Sequence, residues 1–295
     1  MNVAIITGGA AGIGYATAAG LAERGNHVVI AGRRQEALRT AADRLRKAYP
    51  GSTISTGELD LADLASVRSF AARVSAEHPK VDLLVNNAGV MAVPERRLTT
   101  DGFELTFGTN HLGHFALTGL LLPVLLAAEA PRVVTVSAAI ARRGRIDLDN
   151  LDFHRDYRPM RAYSAAKLAN VAFALELAAR TDRLRSIAVH PGTAVTGIQR
   201  HVSPALRVVA GGLIALMGQS AEEAARPSLL AATDAHIASG AYFAPRGIGE
   251  GRGRPAPARI PAAAQDPTLR DRLWVASERL TGVSYHLVAP QRAVA

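Results

Sequence analysis

Residues 7–14 read TGGAAGIG, a glycine-rich segment that lies between a short apolar run and a helix-forming stretch. The glycines Gly8, Gly12 and Gly14 allow a tight turn, and they let main-chain N–H groups and a helix N-terminus approach a phosphate group. Glycine patterns also occur in ordinary turns, so the position along the chain decides between the two interpretations. Because this segment follows the first predicted strand, it favours a phosphate-binding loop.

Short β-branched runs alternate with longer alanine-rich segments from this loop onward. The predicted strands are Asn2–Thr7, His27–Ala31, Thr53–Glu58, Val81–Asn86, Arg132–Ser137, Ser186–His190 and Ala241–Ala244. The predicted helices are Gly12–Arg24, Gln35–Ala48, Leu61–Glu77, Gly102–Leu126, Met160–Thr181, Ala221–Thr233 and Pro267–Leu280. This alternation predicts right-handed βαβ units. We therefore expect an α/β fold, in which residues 1–295 form a single doubly wound domain around a mostly parallel seven-stranded sheet.

The composition is that of a globular protein. Of 295 residues, 48% are hydrophobic and 20% are charged. There is no cysteine, which excludes disulfides and cysteine-ligated metal sites. The N-terminal segment lacks the features of a signal peptide, and we expect no apolar stretch of the ~20 residues that a membrane span needs. The sequence predicts a cytoplasmic protein without a membrane span.

The formal net charge is +9. The basic residues are mostly scattered single arginines without interleaved aromatic residues, which argues against nucleic-acid binding. A positive field instead favours small anionic ligands. The histidines His111, His114 and His190 have no carboxylate at a metal-ligand spacing, so no metal site is expected.

Further motifs follow the glycine-rich loop in order. They are Asp60–Leu61, NNAG at Asn86–Gly89, Asn110, YSAAK at Tyr163–Lys167 and HPGTAVT at His190–Thr196. With these motifs the chain resembles the short-chain dehydrogenase/reductase family, whose fold is of the Rossmann type, over nearly its whole length. TNHLGHF at residues 109–115 and DRLWVASERLTG at residues 271–282 are similar to its retinol-dehydrogenase-like branch. A homodimer or a homotetramer is the expected assembly.

The resemblance implies a bound dinucleotide cofactor. Its expected contacts are Gly8, Gly12, Ile13, Gly14, Arg33, Arg34, Asp60, Leu61, Asn87, Ala88, Gly89, Tyr163, Lys167, Pro191, Gly192, Thr193 and Thr196. In the family pattern Asp60 holds the adenine amino group, while Asn87, Ala88 and Gly89 line the adenosine side.

The end of the second strand, AGRR at residues 31–34, indicates which dinucleotide is used. An NAD enzyme would carry an acidic residue near Gly32 to accept hydrogen bonds from the ribose hydroxyls. Here Gly32 is followed by Arg33 and Arg34, whose guanidinium groups suit a 2′-phosphate. A solvated charge pair is the alternative, although basic residues are disfavoured at a helix N-terminus. The sequence therefore predicts NADP(H).

Tyr163 and Lys167 are the candidate acid/base pair. They are four residues apart, so a helix presents both on one face. An ammonium near a phenol is expected to lower the phenol pKa, so that Tyr163 exchanges a proton with a carbonyl or alcohol oxygen. By resemblance, Lys167 also holds the nicotinamide ribose and Asn110 completes a water relay.

Ala138 stands where the family places a catalytic serine. The retinol-dehydrogenase-like branch ends its fifth strand in two serines, of which the second binds the substrate oxygen. Alignment on Gly144–Ile146 places Ser137 on the first serine and Ala138 on the second. Ser137 is a poor substitute, since successive strand side chains point to opposite faces. A natural loss and an engineered Ser-to-Ala change both remain open.

These observations predict an NADP(H)-dependent ketoreductase or alcohol dehydrogenase that acts on a small, largely apolar carbonyl compound or secondary alcohol. Apolar residues at about 193–219 predict a substrate lid, with a plain packing helix as an equal alternative, and a C-terminal extension occupies about 245–295. Two other functions remain open: non-redox acid/base chemistry, as in a dehydratase or cyclase, and non-catalytic NADP binding. The joint presence of Tyr163, Lys167 and Asn110 favours an enzyme.

Overall fold

The computed structural model describes residues 2–193 and 219–287. In these residues eight strands form one sheet, ordered β3-β2-β1-β4-β5-β6-β7-β8. The strands are β1 Val3–Thr7, β2 His27–Gly32, β3 Ile54–Glu58, β4 Leu83–Asn86, β5 Arg132–Val136, β6 Arg185–Val189, β7 Tyr242–Pro245 and β8 Pro255–Pro257. All neighbouring strands pair in parallel except β7 and β8, which are antiparallel. The predicted doubly wound α/β fold is confirmed.

The helices connect the strands across both faces of the sheet. They are α1 Gly12–Ala22, α2 Gln35–Ala48, α3 Leu64–Glu77, α4 Leu105–Phe107, α5 Gly113–Leu126, α6 Pro159–Arg180, α7 Ala221–Thr233, α8 Ala262–Gln265 and α9 Pro267–Thr281. A π-helical turn at Gly108–Leu112 joins α4 to α5, and 3-10 turns lie at Ala139–Arg143 and Ile248–Glu250.

The sheet has eight strands, so the prediction of seven was wrong by one. Strand β8 lies within residues 245–261, a segment whose richness in glycine, proline and arginine predicts a surface loop instead of a strand. Ala258 N–H donates to Tyr242 O at 2.8 Å, and Arg246 N–H donates to Arg254 O at 2.9 Å. Positions 254, 256 and 258, in β8 and on either side of it, therefore turn their hydrogen-bonding groups toward β7. Pro255 and Pro257 occupy the outward positions, where the absent N–H removes no hydrogen bond from the sheet.

The core lies in two layers because β1 is buried on both faces. Val3 and Ile5 belong to the layer with α3, α5 and part of α6, whereas Ala4 and Ile6 belong to the layer with α1, α2 and α7. Apolar residues at successive positions are typical of parallel strands that are covered on both sides. The strand order reverses between β1 and β4, which opens a crevice at their carboxyl ends.

The stretch Leu105–Leu126 begins later than the predicted helix Gly102–Leu126. Both carboxylate oxygens of buried Glu104 accept hydrogen bonds from N–H groups of the first turn of α4, which fixes this start. By length and composition the stretch is long and apolar enough to cross a membrane, contrary to the sequence expectation. In the structure 72% of its apolar window is buried, and a core helix has the same composition.

Helix α9 packs against the domain through an aromatic cluster around Trp274. The Trp274 side chain is 3% exposed. Its ring centroid lies 5.2 Å from that of Phe115 and 4.5 Å from that of Tyr285, and it stacks on Phe173 at 5.9 Å. The guanidinium of Arg180 covers the indole at 4.6 Å.

We expect Trp274→Ala to lower the free energy of unfolding by about 3–5 kcal/mol, because it removes a large buried side chain from four neighbours. Val275, the next residue of α9, is 55% exposed and provides the matched control. Val275→Ala should stay within about 0.5 kcal/mol of the parent in the same urea titration. Equal losses for the two variants would contradict the packing described for α9.

Candidate active site

The glycine-rich loop packs main chain against main chain at the carboxyl end of β1. Gly8 and Gly12 have φ values of +70° and +54°, which favour glycine. A Cβ on Gly14 would collide with the carbonyl oxygen of Gly8 and lie 2.6 Å from Asn87 Nδ2. Ala11, the N-cap of α1, provides no side-chain acceptor for the first N–H groups of that helix. This cradle suits a dinucleotide phosphate. The Ile13 side chain is buried in an apolar cluster with Ala224 and Ala225 of α7.

The NNAG segment is fixed against this loop by Thr7. The hydroxyl oxygen of Thr7 accepts hydrogen bonds from the N–H groups of Asn87 and Ala88, each at 2.9 Å. In return Asn87 Nδ2 donates to the main-chain oxygen of Thr7 at 2.8 Å. The structure therefore brings the predicted adenosine-side residues together with the predicted phosphate loop.

The end of β2 is open and basic. A Cβ on Gly32 would meet only Leu38, at 3.8 Å. Arg33 and Arg34 are exposed, and Arg34 is the N-cap of α2. Within residues 2–193 and 219–287 neither guanidinium forms an ion pair.

Asp60 and Leu61 lie beyond the end of the neighbouring strand β3. Asp60 Oδ1 accepts a hydrogen bond from Ala62 N–H at 2.9 Å, and the Leu61 side chain is buried. The half-buried Asp60 carboxylate is thus held by its own turn.

Tyr163 and Lys167 lie one turn apart on α6, and both side chains are more than nine-tenths buried. Lys167 Nζ is 5.9 Å from the centroid of the Tyr163 ring and donates to Val136 O, at the end of β5, at 3.1 Å. A Cβ on Gly89 would lie 3.6 Å from Lys167 Nζ and 2.9 Å from Asn110 Oδ1. Residues distant in sequence therefore converge on one point.

Burial controls the ionisation of this pair. Desolvation raises the pKa of Tyr163 to about 12 and lowers the pKa of Lys167 to about 8. The sequence-based expectation of a lowered phenol pKa was wrong for this structure, because burial of the phenol raises its pKa. At neutral pH the phenol is protonated, which is the form that donates a proton.

Asn110 lies in the π-helical turn, a feature that is frequent at functional sites. Its Oδ1 accepts a hydrogen bond from Val90 N–H at 2.8 Å, and its Nδ2 donates to Val90 O at 2.9 Å. The side-chain amide thus holds the chain directly after Gly89.

The end of β5 places Ser137 and Ala138 in different surroundings. The Ser137 hydroxyl donates to the main-chain oxygen of Lys167 at 2.6 Å, which commits it to α6. Ala138 is half-buried and extended, with φ −156°, and it is the N-cap of the following 3-10 turn. The engaged hydroxyl agrees with the expectation that Ser137 is a poor substitute for a serine at 138.

The loop after β6 contacts a segment that the sequence did not connect with the site. Thr193 N–H donates to Gly251 O at 2.8 Å, and Gly192, with φ +85°, lies against the same oxygen. Buried Pro191 precedes them and accepts a hydrogen bond from the Gln219 side chain. Thr196 and residues 194–218 of the predicted lid lie outside the described residues, as do residues 288–295 of the predicted extension.

An ion pair between Arg142 and Glu250 joins the turn after β5 to the turn between β7 and β8. Sequence reasoning missed this pair, and no local signal connects residues 108 positions apart.

The three histidines each have a hydrogen-bond partner. His111 Nε2 lies 3.0 Å from Ser277 Oγ, and His190 Nδ1 accepts from Gly192 N–H at 3.2 Å. His114 lies between Thr7 and Asn110. Among residues 2–193 and 219–287 no group of three or more His, Asp or Glu side chains could hold a metal ion. Sequence reasoning gave His114 no role, although its four-residue spacing from Asn110 was the available signal.

Comparison with known proteins agrees with this geometry. The model of the short chain dehydrogenase family matches residues 2–207. Human Retinol dehydrogenase 13 is 39% identical over 296 residues, which cover 97% of this chain and 86% of that protein. Mouse Polyprenol dehydrogenase is 40% identical over 291 residues, with 95% and 84% covered.

A solved structure of an uncharacterized protein from Mycobacterium paratuberculosis has the same fold. It superposes with a TM-score of 0.79 at 39% identity, covering 97% of this chain and 95% of that one. The sequence match, the fold and the full-length relatives lead to one conclusion. The chain belongs to the short-chain dehydrogenase/reductase family of oxidoreductases, and the predicted resemblance to retinol dehydrogenases is confirmed.

Proposed function

We propose that the protein is an NADP(H)-dependent oxidoreductase that interconverts an apolar carbonyl compound and its alcohol. The main support is the convergence of Tyr163, Lys167 and Asn110 beside Gly89, in the NNAG segment that is hydrogen-bonded to Thr7. When bound, the nicotinamide supplies or accepts the hydride. In carbonyl reduction the protonated Tyr163 donates to the carbonyl oxygen, while the Lys167 ammonium, anchored to Val136 O, places positive charge beside the phenol.

The choice of NADP(H) rests on the end of β2. Gly32 has no carboxylate to accept from ribose hydroxyls, and the exposed Arg33 and Arg34 offer planar donors to a phosphate. Because neither guanidinium has an ion-pair partner in the described part of the chain, no internal carboxylate competes for this phosphate.

The substrate class is supported by two observations. The relatives are named after retinol and polyprenol, both of which are apolar alcohols. The sequence between residues 193 and 219 is rich in apolar side chains, such as Leu206, Val209 and Leu213. Because retinol and polyprenol are primary alcohols, we extend the proposed class to aldehydes as well as ketones. A cytoplasmic location and a homodimeric or homotetrameric assembly stay predictions.

The choice among the three candidate functions depends on NADPH oxidation. NADPH absorbance would be followed over a panel of lipophilic ketones and aldehydes. We expect carbonyl-dependent oxidation for at least one compound. Conversion of a substrate without a change in absorbance would favour a dehydratase or cyclase, whereas NADPH binding without any turnover would favour a non-catalytic protein.

We expect NADPH to bind much more tightly than NADH, and Arg33→Ala to weaken NADPH binding about ten- to a hundredfold. This corresponds to a charge-assisted hydrogen bond of roughly 1.5–3 kcal/mol. Arg272→Ala, which removes an equally exposed positive charge from α9, is the matched control and should leave the affinity unchanged. Equal affinity of the parent for the two cofactors in a fluorescence titration would overturn the assignment.

We expect Tyr163→Phe to abolish turnover while leaving NADPH binding nearly intact, because the ring packs similarly but has no proton to donate. Lys167→Ala should impair both. Tyr285 is the control, since its buried hydroxyl donates to Phe115 O at 2.6 Å in the α9 layer. Tyr285→Phe should reduce stability and retain activity, and a Tyr163→Phe enzyme with parental turnover would remove Tyr163 as the acid.

The same carbonyl-reduction assay, run against pH, tests Lys167. Its lowered pKa of about 8 means that the ammonium is present below that pH and is lost as the pH rises through it. The kcat for reduction should therefore fall above about pH 8. Lys167→Arg, whose charge persists, should move that decline to higher pH.

We expect Ala138→Ser to raise kcat for carbonyl reduction by one to three orders of magnitude with little change in NADPH affinity. A hydroxyl aimed at the developing negative charge is typically worth about 10²–10³ in rate. Ala139→Ser adds the same group one residue later, inside the 3-10 turn, and should give no gain. An unchanged rate in Ala138→Ser, with a parent that is already fast, would show that another group supplies this hydrogen bond.

A further inference from the structure

His114 connects Thr7, at the start of the phosphate loop, with Asn110 in the π-helical turn. It is 1% exposed, at the start of α5, one helical turn after Asn110. Its Nε2 lies 2.8 Å from the hydroxyl oxygen of Thr7, and its Nδ1 lies 3.0 Å from the main-chain oxygen of Asn110. One imidazole therefore touches the residue that holds the NNAG segment and the residue that holds Val90.

The hydrogen bonds of its partners define the tautomer of His114. The Asn110 carbonyl can only accept, so Nδ1 must carry the proton. The Thr7 oxygen already accepts from two N–H groups, those of Asn87 and Ala88, which use both of its lone pairs. The Thr7 hydroxyl must then donate, and His114 Nε2 at 2.8 Å is nearer than Val85 O at 3.3 Å. The ring is a neutral imidazole with Nδ1–H.

Ionisation of His114 would break this arrangement. An imidazolium has two donors, and the second would face a Thr7 oxygen with no lone pair left. Burial lowers the pKa of His114 to about 4, with smaller opposing and reinforcing effects from the Asn110 carbonyl and the Lys167 ammonium. The neutral bridge therefore persists across the physiological pH range.

We propose that His114 is a positioning residue for the reduction. It fixes the π-helical turn that contains Asn110 relative to the phosphate loop, so that a bound dinucleotide and the Tyr163–Lys167 pair keep a constant relative position. The inference rests on the proposed function for its kinetic part. Thr7 sets the places of Asn87 and Ala88, and Asn110 sets that of Val90, so a shift of His114 displaces the chain on both sides of Gly89.

His111 shows the contrast with a packing histidine. It lies beside Asn110 in the π-helical turn, is 2% exposed, and its side chain contacts the Ser277 hydroxyl of α9 and the side chain of Asn170 on α6. Neither Ser277 nor Asn170 is among the residues that hold the phosphate loop or the NNAG segment. His111 therefore matches His114 in residue type and burial but lacks the contact with Thr7 that ties His114 to the phosphate loop.

The two hydrogen bonds of His114 can be separated by substitution. Asn places its amide near the position of Nδ1, so His114→Asn should keep the donor to Asn110 O and lose the acceptor for Thr7. Gln reaches the position of Nε2, so His114→Gln should do the reverse. We expect His114→Asn to weaken NADPH binding with kcat near parental at saturation. His114→Gln should bind NADPH normally and lose kcat about ten- to a hundredfold, the loss expected for a misplacement of about 1 Å.

His111→Leu is the control for His114→Leu. Both remove a buried imidazole, and both should lower the Tm. Only His114→Leu should lower kcat by ten- to a hundredfold and weaken NADPH binding. Equal kinetic losses in the two Leu variants, or parental kinetics in both the Asn and Gln variants, would overturn the positioning role.

A measurement without turnover tests the same inference in the cofactor-free protein. Imidazole ¹⁵N NMR, assigned with His114→Gln, should show His114 as the neutral Nδ1–H tautomer at pH 7. The Nε2–H tautomer or an imidazolium would refute the bridge. If the parent reduces no carbonyl compound, the proposed function fails, while the NMR spectrum and the NADPH affinity of His114→Asn still decide the inference.

Discussion

The Thr7 hydroxyl is the interaction on which the site depends. At the switch point between β1 and β4, the connections leave on opposite faces and the first N–H groups after β4 lose their strand partners. Buried N–H groups require acceptors. Thr7 accepts from two of them and lies within hydrogen-bonding distance of His114, so a single oxygen aligns the ends of two strands with the start of α5. A valine of similar shape would remove the Thr7 acceptor from the Ala88 N–H and leave the Asn87 N–H with Val85 O alone, at 3.0 Å.

The second constraint is electrostatic. Burying a phenol and an ammonium together disfavours the charged form of each group. The pKa of Tyr163 therefore rises to about 12, away from neutrality, whereas the pKa of Lys167 falls to about 8, toward it. Val136 O accepts hydrogen bonds from Lys167 Nζ and from Asn170 Nδ2, each at 3.1 Å, so two side chains of α6 are tied to the end of β5. The acid thus stays protonated while the cation stays close to its titration point.

The alternation of apolar runs made the order of strands and helices predictable, because periodicity and helix length are local properties. Strand β8 was not predictable, because prolines argue against a strand unless the segment is known to lie at the free edge of the sheet. The π-helical turn at Gly108–Leu112 lies inside the stretch that the sequence predicted as one continuous helix, Gly102–Leu126. Motif spacing located Tyr163, Lys167 and Asn110, but the burial that shifts the Tyr163 pKa depends on residues from the whole fold. The Arg142–Glu250 ion pair could not be predicted either, because its two residues come together only in the folded chain.

The prolines of β8 bear on how copies of the chain can associate. An exposed strand normally offers a row of donors and acceptors to any other strand that approaches. Here the outward donors belong to positions 255 and 257, and proline has none. Intermolecular strand addition at this border is therefore blocked, which protects the protein against edge-to-edge aggregation. An assembly of this chain must consequently be built on helices or loops, or on the opposite border at β3, rather than on a sheet continued through β8.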